Sequence, residues 1–499
     1  MPKRTDIQSI LIIGAGISGI GIAAHLSKNS PQRQFEILER RESFGGTWDL
    51  FRYPGIRSDS DMSTFGFNFK PWCKANVLAD GASIKGYLGE VIDEYKLKEK
   101  IHFGHRVLSA NYDSESKKWQ VVIEDSKKKQ QTWIANFVVG CTGYYNYDQG
   151  YAPSFPNQEA FKGQLIHPQH WPENLDYTGK KVVIIGSGAT AITLVPAMAK
   201  GGAGHVTMLQ RSPTYIASVP SIDFVYEKTR KFMSEETAYK FTRARNIGMQ
   251  RAIYALSQKH PKTVRRLLLK AIEVQLKGKV DMKHFTPSYN PWDQRLCVVP
   301  DGDLFKILRE GKASVETDQI EKFTEKGILL KSGKHLDADI IVSATGLQVQ
   351  IMGGVQATID GKAINSSEHM LYNGVMLSDV PNMAMIIGYV NASWTLKVDI
   401  AAEYICRLLN YMDKNHYDEV IPSGDKTEME EDTVMGKLSS GYISRAAHEL
   451  PKQGKHAPWQ VTNNYLEDRK SLKNSKFEDG VLHFHKRSEA NERKPKLVS

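Results

Sequence analysis

The chain has 499 residues, 41% of them hydrophobic and 24% charged, which allows two to four folded units with ample cores and excludes a disordered or fibrous protein. No apolar run approaches the roughly 20 residues that a membrane-spanning helix needs. The four cysteines, Cys73, Cys141, Cys297 and Cys406, stand far apart with no Cys-x-x-Cys pair, which argues against disulfides and a metal site and for a reducing, cytoplasmic compartment. The net charge of +10 is concentrated: residues 221–290 hold fifteen Lys or Arg against six Asp or Glu. With no nucleic-acid motif present, that surplus points to an anionic membrane surface, hence peripheral association, or to the phosphates of a dinucleotide.

The basic start, Met1-Pro2-Lys3-Arg4, and the apolar stretch after it imitate a secretory leader, but Gly14, Gly16 and Gly19 interrupt it. Ile10-Leu11-Ile12-Ile13 predicts a buried parallel strand, and a helical pattern follows the glycines through Leu26. Gly14 permits the tight turn, Gly16 lets a pyrophosphate approach the backbone, and Gly19 lets helix pack on strand. Phe35–Leu38 predicts the second strand, ended by Glu39, twenty residues after Gly19, where a carboxylate can hold ribose hydroxyls. Gly45-Gly46-Thr47-Trp48 follows, and a Gly-Gly pair here resembles the one that flavoprotein oxygenases run beneath FAD. The first turn is therefore expected to hold FAD through Gly14, Gly16, Gly19, Glu39, Gly46, Thr47, Trp48 and Asp59. Plainer readings exist: Pro54-Gly55 is a turn, and Asp59 could cap a helix.

Residues 76–135 alternate as strands do, as in Trp119–Ile123, and Phe137–Gly143 predicts a strand ending in a tight turn. Tyr144, Tyr145 and Tyr147 then either line a cleft or, as is commoner after a strand, simply pack. Phe161-x-Gly163-x-x-x-His167-x-x-x-Trp171-Pro172 comes next. It lies between two dinucleotide turns and is expected near the point where their nucleotides exchange a hydride; the alternative is a loop whose Phe and Trp are core anchors. The second turn follows the strand run Lys181–Ile185 and reads Gly186-Ser187-Gly188-Ala189-Thr190-Ala191, with Ala in place of the third Gly. Its next strand, Val206–Leu209, ends in Gln210-Arg211-Ser212 with no acid at the ribose position. Arg211, twenty residues after Ala191, can fork onto a 2′-phosphate, so NADPH is expected rather than NADH, with Ser212 and Thr214 as further donors.

Residues 214–290 are rich in helix formers, and Ile253, Leu256, Val264, Leu267, Leu268 and Ile272 recur at helical spacing. A packed helical insert with a solvated basic face is expected there; a basic amphipathic helix can also lie on a membrane. Asn290–Cys297 closes the insert. Asp339–Gly346 predicts a last buried strand, and Gly388–Trp394 leads into a helix over about 395–412. Asn391, Ser393 and Trp394 are read as bordering the site or capping that helix. The Lys- and Glu-rich last 25 or so residues are expected to be poorly ordered.

The segment from Phe161 to Pro172, together with Gly45-Gly46-x-Trp48, Tyr53-Pro54-Gly55 and Asp59, resembles the fingerprints of Baeyer–Villiger monooxygenases. The resemblance covers nearly the whole chain. It implies an α/β fold of two Rossmann-like dinucleotide-binding domains, one for FAD (1–147 and 347–499) and one for NADP (148–213 and 291–346), with the helical insert at 214–290. It implies insertion of one oxygen of O2 beside a ketone carbonyl through a C4a-peroxyflavin, giving esters or lactones, with sulfide and thioamide S-oxidation as a side activity. Arg295 would be the cation over the flavin, and Asp59 would orient it. Many relatives carry Lys where this chain has Gln294, which puts more weight on Arg211 for the NADPH phosphate. The small-molecule ketone or sulfide and the oligomeric state are left open. The alternative is an N- or S-oxidising flavin-containing monooxygenase on the same fold; a disulfide reductase is excluded because it needs a redox cysteine pair.

Overall fold

The computed structural model describes residues 4–436 and 441–486. Each of the two glycine turns follows the C-terminal end of an interior strand of its own sheet. The first sheet has Arg4–Ile13 at its centre, parallel to Phe35–Leu38 on one side and Gln130–Gly140 on the other. Strand Gln130–Gly140 is shared lengthwise. Its first half pairs antiparallel with Lys118–Glu124, and its last residues pair parallel with Met383–Met385. A meander thus enters the sheet from one end, and the returning chain closes it at the other. The second sheet is wholly parallel, in the order Ala313–Thr317, His205–Gln210, Lys181–Ile185, Ile340–Ser343, Gln164–Ile166. Its central strands, Lys181–Ile185 beyond the exposed Lys181 and Ile340–Ser343, are buried runs, as strands covered on both faces require. The expected strands 35–38 and 181–185 form with those bounds.

Two linkers join the sheets, and they run side by side: Asn146 N–H donates to Gln348 O at 2.8 Å, and Tyr151 N–H to Gly346 O at 3.2 Å. Helix Trp394–Lys414 packs on helix Ile17–Asn29 through a buried polar knot. There Asp399, 1% exposed, accepts from Asn68 N–H at 2.8 Å and lies 3.1 Å from His25 Nε2 and 3.4 Å from Arg243.

The stretch expected to be a helical insert begins differently. Ile216–Val219 is a strand parallel to Cys297–Pro300, because both segments are β-rich and flank the insert's base. The helices are Phe224–Thr229, Glu235–Lys259 and Pro261–Leu276. Arg243 ties the longest of them to the first sheet's unit by donating to Ser63 O at 2.8 Å and Gly66 O at 2.6 Å. Val264 and Ile272 of the expected stripe are buried, whereas Ile253, Leu256 and Leu267 face outward. The expected disorder of the last residues is also corrected in part. Leu482–His485 pairs with Glu419–Pro422, since its alternate apolar residues find a partner edge; residues 487–499 lie outside those described. No described helix is long and apolar enough to cross a membrane.

Candidate active site

At the first turn, Gly14 adopts φ +107°, and a Cβ there would fall 2.6 Å from the Cys141 carbonyl oxygen; at Gly19 it would fall 1.8 Å from the Gly14 oxygen. Only bare backbone allows strand and helix to meet so closely. Helix Ile17–Asn29 has neither a side-chain cap nor an acid in its first turn, which leaves its N–H groups and positive dipole end to an anion. Gly46 backs onto Gly16, and a Cβ on it would lie 3.0 Å from Gly16 Cα. Buried Glu39 accepts from Ala15 N–H at 2.8 Å and Arg41 N–H at 2.9 Å. Burial pushes its carboxyl above the usual range, against the pull of those two donors. A cavity lined by Gly14, Gly16, Glu39, Gly46 and Tyr147 opens here. Thr47 and Trp48 begin the next short helix and face the main cleft. Bare backbone, an uncapped helix end and a carboxylate at the strand end fit the pyrophosphate and ribose of FAD.

The second turn repeats the device. Gly186 sits at φ +140°, with a Cβ position 2.3 Å from Ala344 O, while Gly188 faces open space. Helix Ala189–Lys200 again lacks a side-chain cap and an acid in its first turn. Ser187 Oγ donates to Ser212 O at 3.0 Å, which ties the turn to the next strand's end. Gln210 turns inward, donating to His284 O at 2.7 Å and Thr317 Oγ1 at 2.9 Å. Arg211 is left exposed at the strand end and lines the cleft together with Ser187, Gly188, Ala189 and Thr190. No carboxylate among the described residues pairs with this guanidinium, and a lone cation where an NAD site would carry an acid fits a 2′-phosphate.

Between the turns lies a cleft of about 800 Å³. Arg295 enters it from the turn that closes the insert, where Asn290 N–H donates to Asp293 Oδ2 at 2.9 Å. Trp292 holds φ +73°, with its ring edge-on to Tyr254 at 5.5 Å. The Arg295 guanidinium lies 3.6 Å from Asp59, and the two side chains are 33% and 46% exposed. Asp59 caps no helix: Asp61 does so for Met62–Phe65, accepting from Thr64 N–H at 3.1 Å, which leaves the Asp59 carboxylate to the arginine. The Tyr144 and Tyr145 hydroxyls lie 2.6 Å apart, and the phenol of Tyr442 joins them beside Arg295. Burial pushes all three phenols far above their usual range, so they remain protonated. Gln294 lines the same cleft.

The fingerprint residues stand behind this cleft rather than in it. Phe161 meets Phe323 edge-on at 6.3 Å. Gly163 has no room for a Cβ, which would fall 2.4 Å from Asp339 O and from Phe161 Cζ. Both positions anchor the edge strand Gln164–Ile166. The His167 ring packs on Gly150, where a Cβ would come within 2.0 Å of it. Gln169 donates to Asn146 O at 2.8 Å, and Trp171 packs on the second sheet's core while Pro172 is exposed. The segment thus braces the linker that carries Tyr144 and Tyr145. Asn391, Ser393 and Trp394 are also one layer back. Ser393 meets Thr64 at 2.7 Å, Asn391 donates to Asn463 O, and the Trp394 indole donates to Ser18 at 2.8 Å while stacking on Tyr144.

Sequence reasoning missed Arg57, Tyr442 and Arg445. Arg57 pairs with Asp303 at 3.2 Å, and Arg445 lies over the Tyr151 ring at 3.6 Å; all three line the cleft. Tyr442 and Arg445 belong to a short helix, Gly441–Ala446, in a stretch without motif or periodicity, so no signal marked them.

Comparison with known proteins agrees with this geometry. The family model for flavin-binding monooxygenase-like proteins matches residues 8–435. The Acinetobacter sp. protein named Probable FAD-binding monooxygenase AlmA is 80% identical over the whole of both chains. The FAD-containing monooxygenase EthA of Mycobacterium tuberculosis is 50% identical over 97% of this chain and 99% of its own. Among solved structures, an oxidized steroid monooxygenase bound to NADP superposes with a TM-score of 0.77 at 20% identity, over 97% of this chain and 100% of that one. A closed cyclohexanone monooxygenase superposes at 0.74 and 19%, over 97% and 100%. At that identity the two structures speak for the fold, an α/β architecture with two Rossmann-like units.

Proposed function

The chain belongs to the flavin-binding monooxygenase-like family, and from that premise we propose that it is an FAD- and NADPH-dependent Baeyer–Villiger monooxygenase. The reaction joins a ketone, O2, NADPH and a proton into an ester or lactone, NADP⁺ and water. Bound FAD, reduced by NADPH, supplies the electrons that activate O2. The first turn holds FAD by the bare backbone of Gly14, Gly16, Gly19 and Gly46, with Glu39 on the ribose. The second holds NADPH, with Arg211 on the 2′-phosphate. Arg295 is the catalytic cation: a guanidinium that cannot lose its proton stabilises the negative charge that develops on the carbonyl oxygen under attack. Asp59 orients it. Tyr144, Tyr145 and Tyr442 remain protonated beside it and exclude water from that side. The observation carrying this reading is the Arg295–Asp59 pair in the cleft between the two turns.

A panel of ketones with NADPH and ¹⁸O2 tests it. One labelled oxygen in the ester, with NADPH consumed in step, is expected; NADPH consumption with every ketone unchanged overturns it. Oxygenation of sulfides and thioamides is the second reading, supported by the likeness to EthA. It makes no tetrahedral oxyanion, so it depends less on Arg295, and the two activities should separate in their response to pH.

A further inference from the structure

Twelve large hydrophobic side chains are exposed among the described residues, and ten of them fall between 224 and 274. On helix Glu235–Lys259, Phe241, Met249, Ile253 and Leu256 recur at steps of eight, four and three, which places them on one face about 120° wide. The exposed Ala244, Ala252 and Ala255 add no polar group to that side. The neighbouring helices continue the pattern. Phe232, beyond Phe224–Thr229, is 87% exposed, and Leu267 and Val274, one heptad apart on Pro261–Leu276, are 61% and 62% exposed. A soluble surface rarely gathers so much apolar area without a partner.

The charge around it selects the partner. Residues 221–290 carry the chain's basic surplus, fifteen cations against six acids. Exposed Lys240, Arg251 and Lys259 flank the apolar face, and a groove beside the next helix gathers Lys262, Arg265, Arg266 and Lys270 around Glu273, so that cations outnumber acids there even with Lys240 paired to Glu236 and Lys270 to Glu273. A second copy of this chain would bring two cationic surfaces together, whereas an anionic bilayer offers phosphates to the cations and acyl chains to the apolar face. We propose that this three-helix face docks on an anionic lipid bilayer. Because Arg243 fixes the longest helix to the backbone at Ser63 and Gly66, docking would hold the first sheet's unit at the membrane together with the helices. This goes beyond the oxygenation reading, and sedimentation tests it without turnover.

Holoenzyme is sedimented with vesicles of phosphatidylcholine alone and of phosphatidylcholine with phosphatidylglycerol, at low and high salt. Binding to the anionic vesicles that weakens with salt is expected. Ile253→Glu/Leu256→Glu should lower it by about tenfold or more while keeping FAD absorbance and NADPH oxidation. Leu267→Glu/Val274→Glu on the adjacent helix gives an independent second variant should the first not fold. Equal binding by wild type and both variants, or no preference for anionic vesicles, overturns the proposal. So does a wild-type dimer in light scattering that the variants convert to monomer, since a second copy would then cover the face.

Discussion

The Arg295 guanidinium and the Asp59 carboxylate meet at 3.6 Å, although one follows the helical insert and the other follows the first glycine turn. The carboxylate is free to do so because Asp61, two residues on, takes the helix-capping role. Arg295→Ala should retain FAD, since none of the backbone around the first turn depends on it, and should lower ester formation by roughly 10²–10³-fold. Product analysis and flavin absorbance check this; full ketone activity in the variant would remove Arg295 from the chemistry. Asp59→Ala should cost less, because the cation survives and only its aim is lost.

Arg211 and Gln210 divide the coenzyme question between them. With Gln210 turned into the protein, Arg211 is left lining the cleft at that strand end beside Ser212. Arg211→Ala should raise the KM for NADPH by about 10- to 100-fold, the worth of a charge-assisted contact, and leave that for NADH nearly unchanged. Steady-state kinetics with both coenzymes decide it, and an equal loss for both counts against the 2′-phosphate contact.

Glycines in and around the first nucleotide site predict a graded series. At Gly19 a Cβ would lie 1.8 Å from a carbonyl oxygen held in the core, so Gly19→Ala should not yield soluble holoenzyme. At Gly46 the clash is milder, 3.0 Å from Gly16 Cα with φ +57°. Gly46→Ala should fold, at a cost of about 1–2 kcal/mol for the left-handed backbone, and release FAD on dilution. At Gly143 nothing stands within 4 Å of the added Cβ, so Gly143→Ala at φ +68° should bear only the backbone cost. Expression, Tm and flavin content rank the three, and a Gly46→Ala variant that keeps FAD at wild-type affinity would contradict the close-approach role.

Asp49 gives the pH dependence. It is 3% exposed and meets Arg41 at 2.7 Å and Lys85 at 2.5 Å. Burial pushes its carboxyl up, but the Lys85 and Arg41 donors outweigh that and hold it below the usual range. A carboxylate that binds protons less readily folded than unfolded stabilises the fold above its unfolded value, about 4, and loses that stabilisation as pH falls through the lower folded value. The Tm difference between wild type and Asp49→Asn should therefore be constant from neutral pH down to about 5 and shrink below about 4. A difference that grows in acid would reverse the sign.

Local chemistry made both nucleotide turns readable in advance. A buried strand, glycines at fixed spacing and a residue of chosen charge at the next strand's end act within about thirty residues, so strands 35–38 and 181–185, Glu39 and Arg211 could be placed from the chain alone. The fingerprint marked the family but not its own position, because a brace and a lining residue carry the same side chains and differ only in which neighbours they meet. Likewise Ile253, Leu256 and Leu267 repeat as core residues do; helical periodicity names a face without saying whether protein or solvent lies against it. How Tyr442 reaches Arg295, and which of two nearby aspartates meets the guanidinium, depend on contacts between segments far apart in the chain. Those were fixed only when the two linkers brought the sheets together, since long-range packing has no imprint on local spacing.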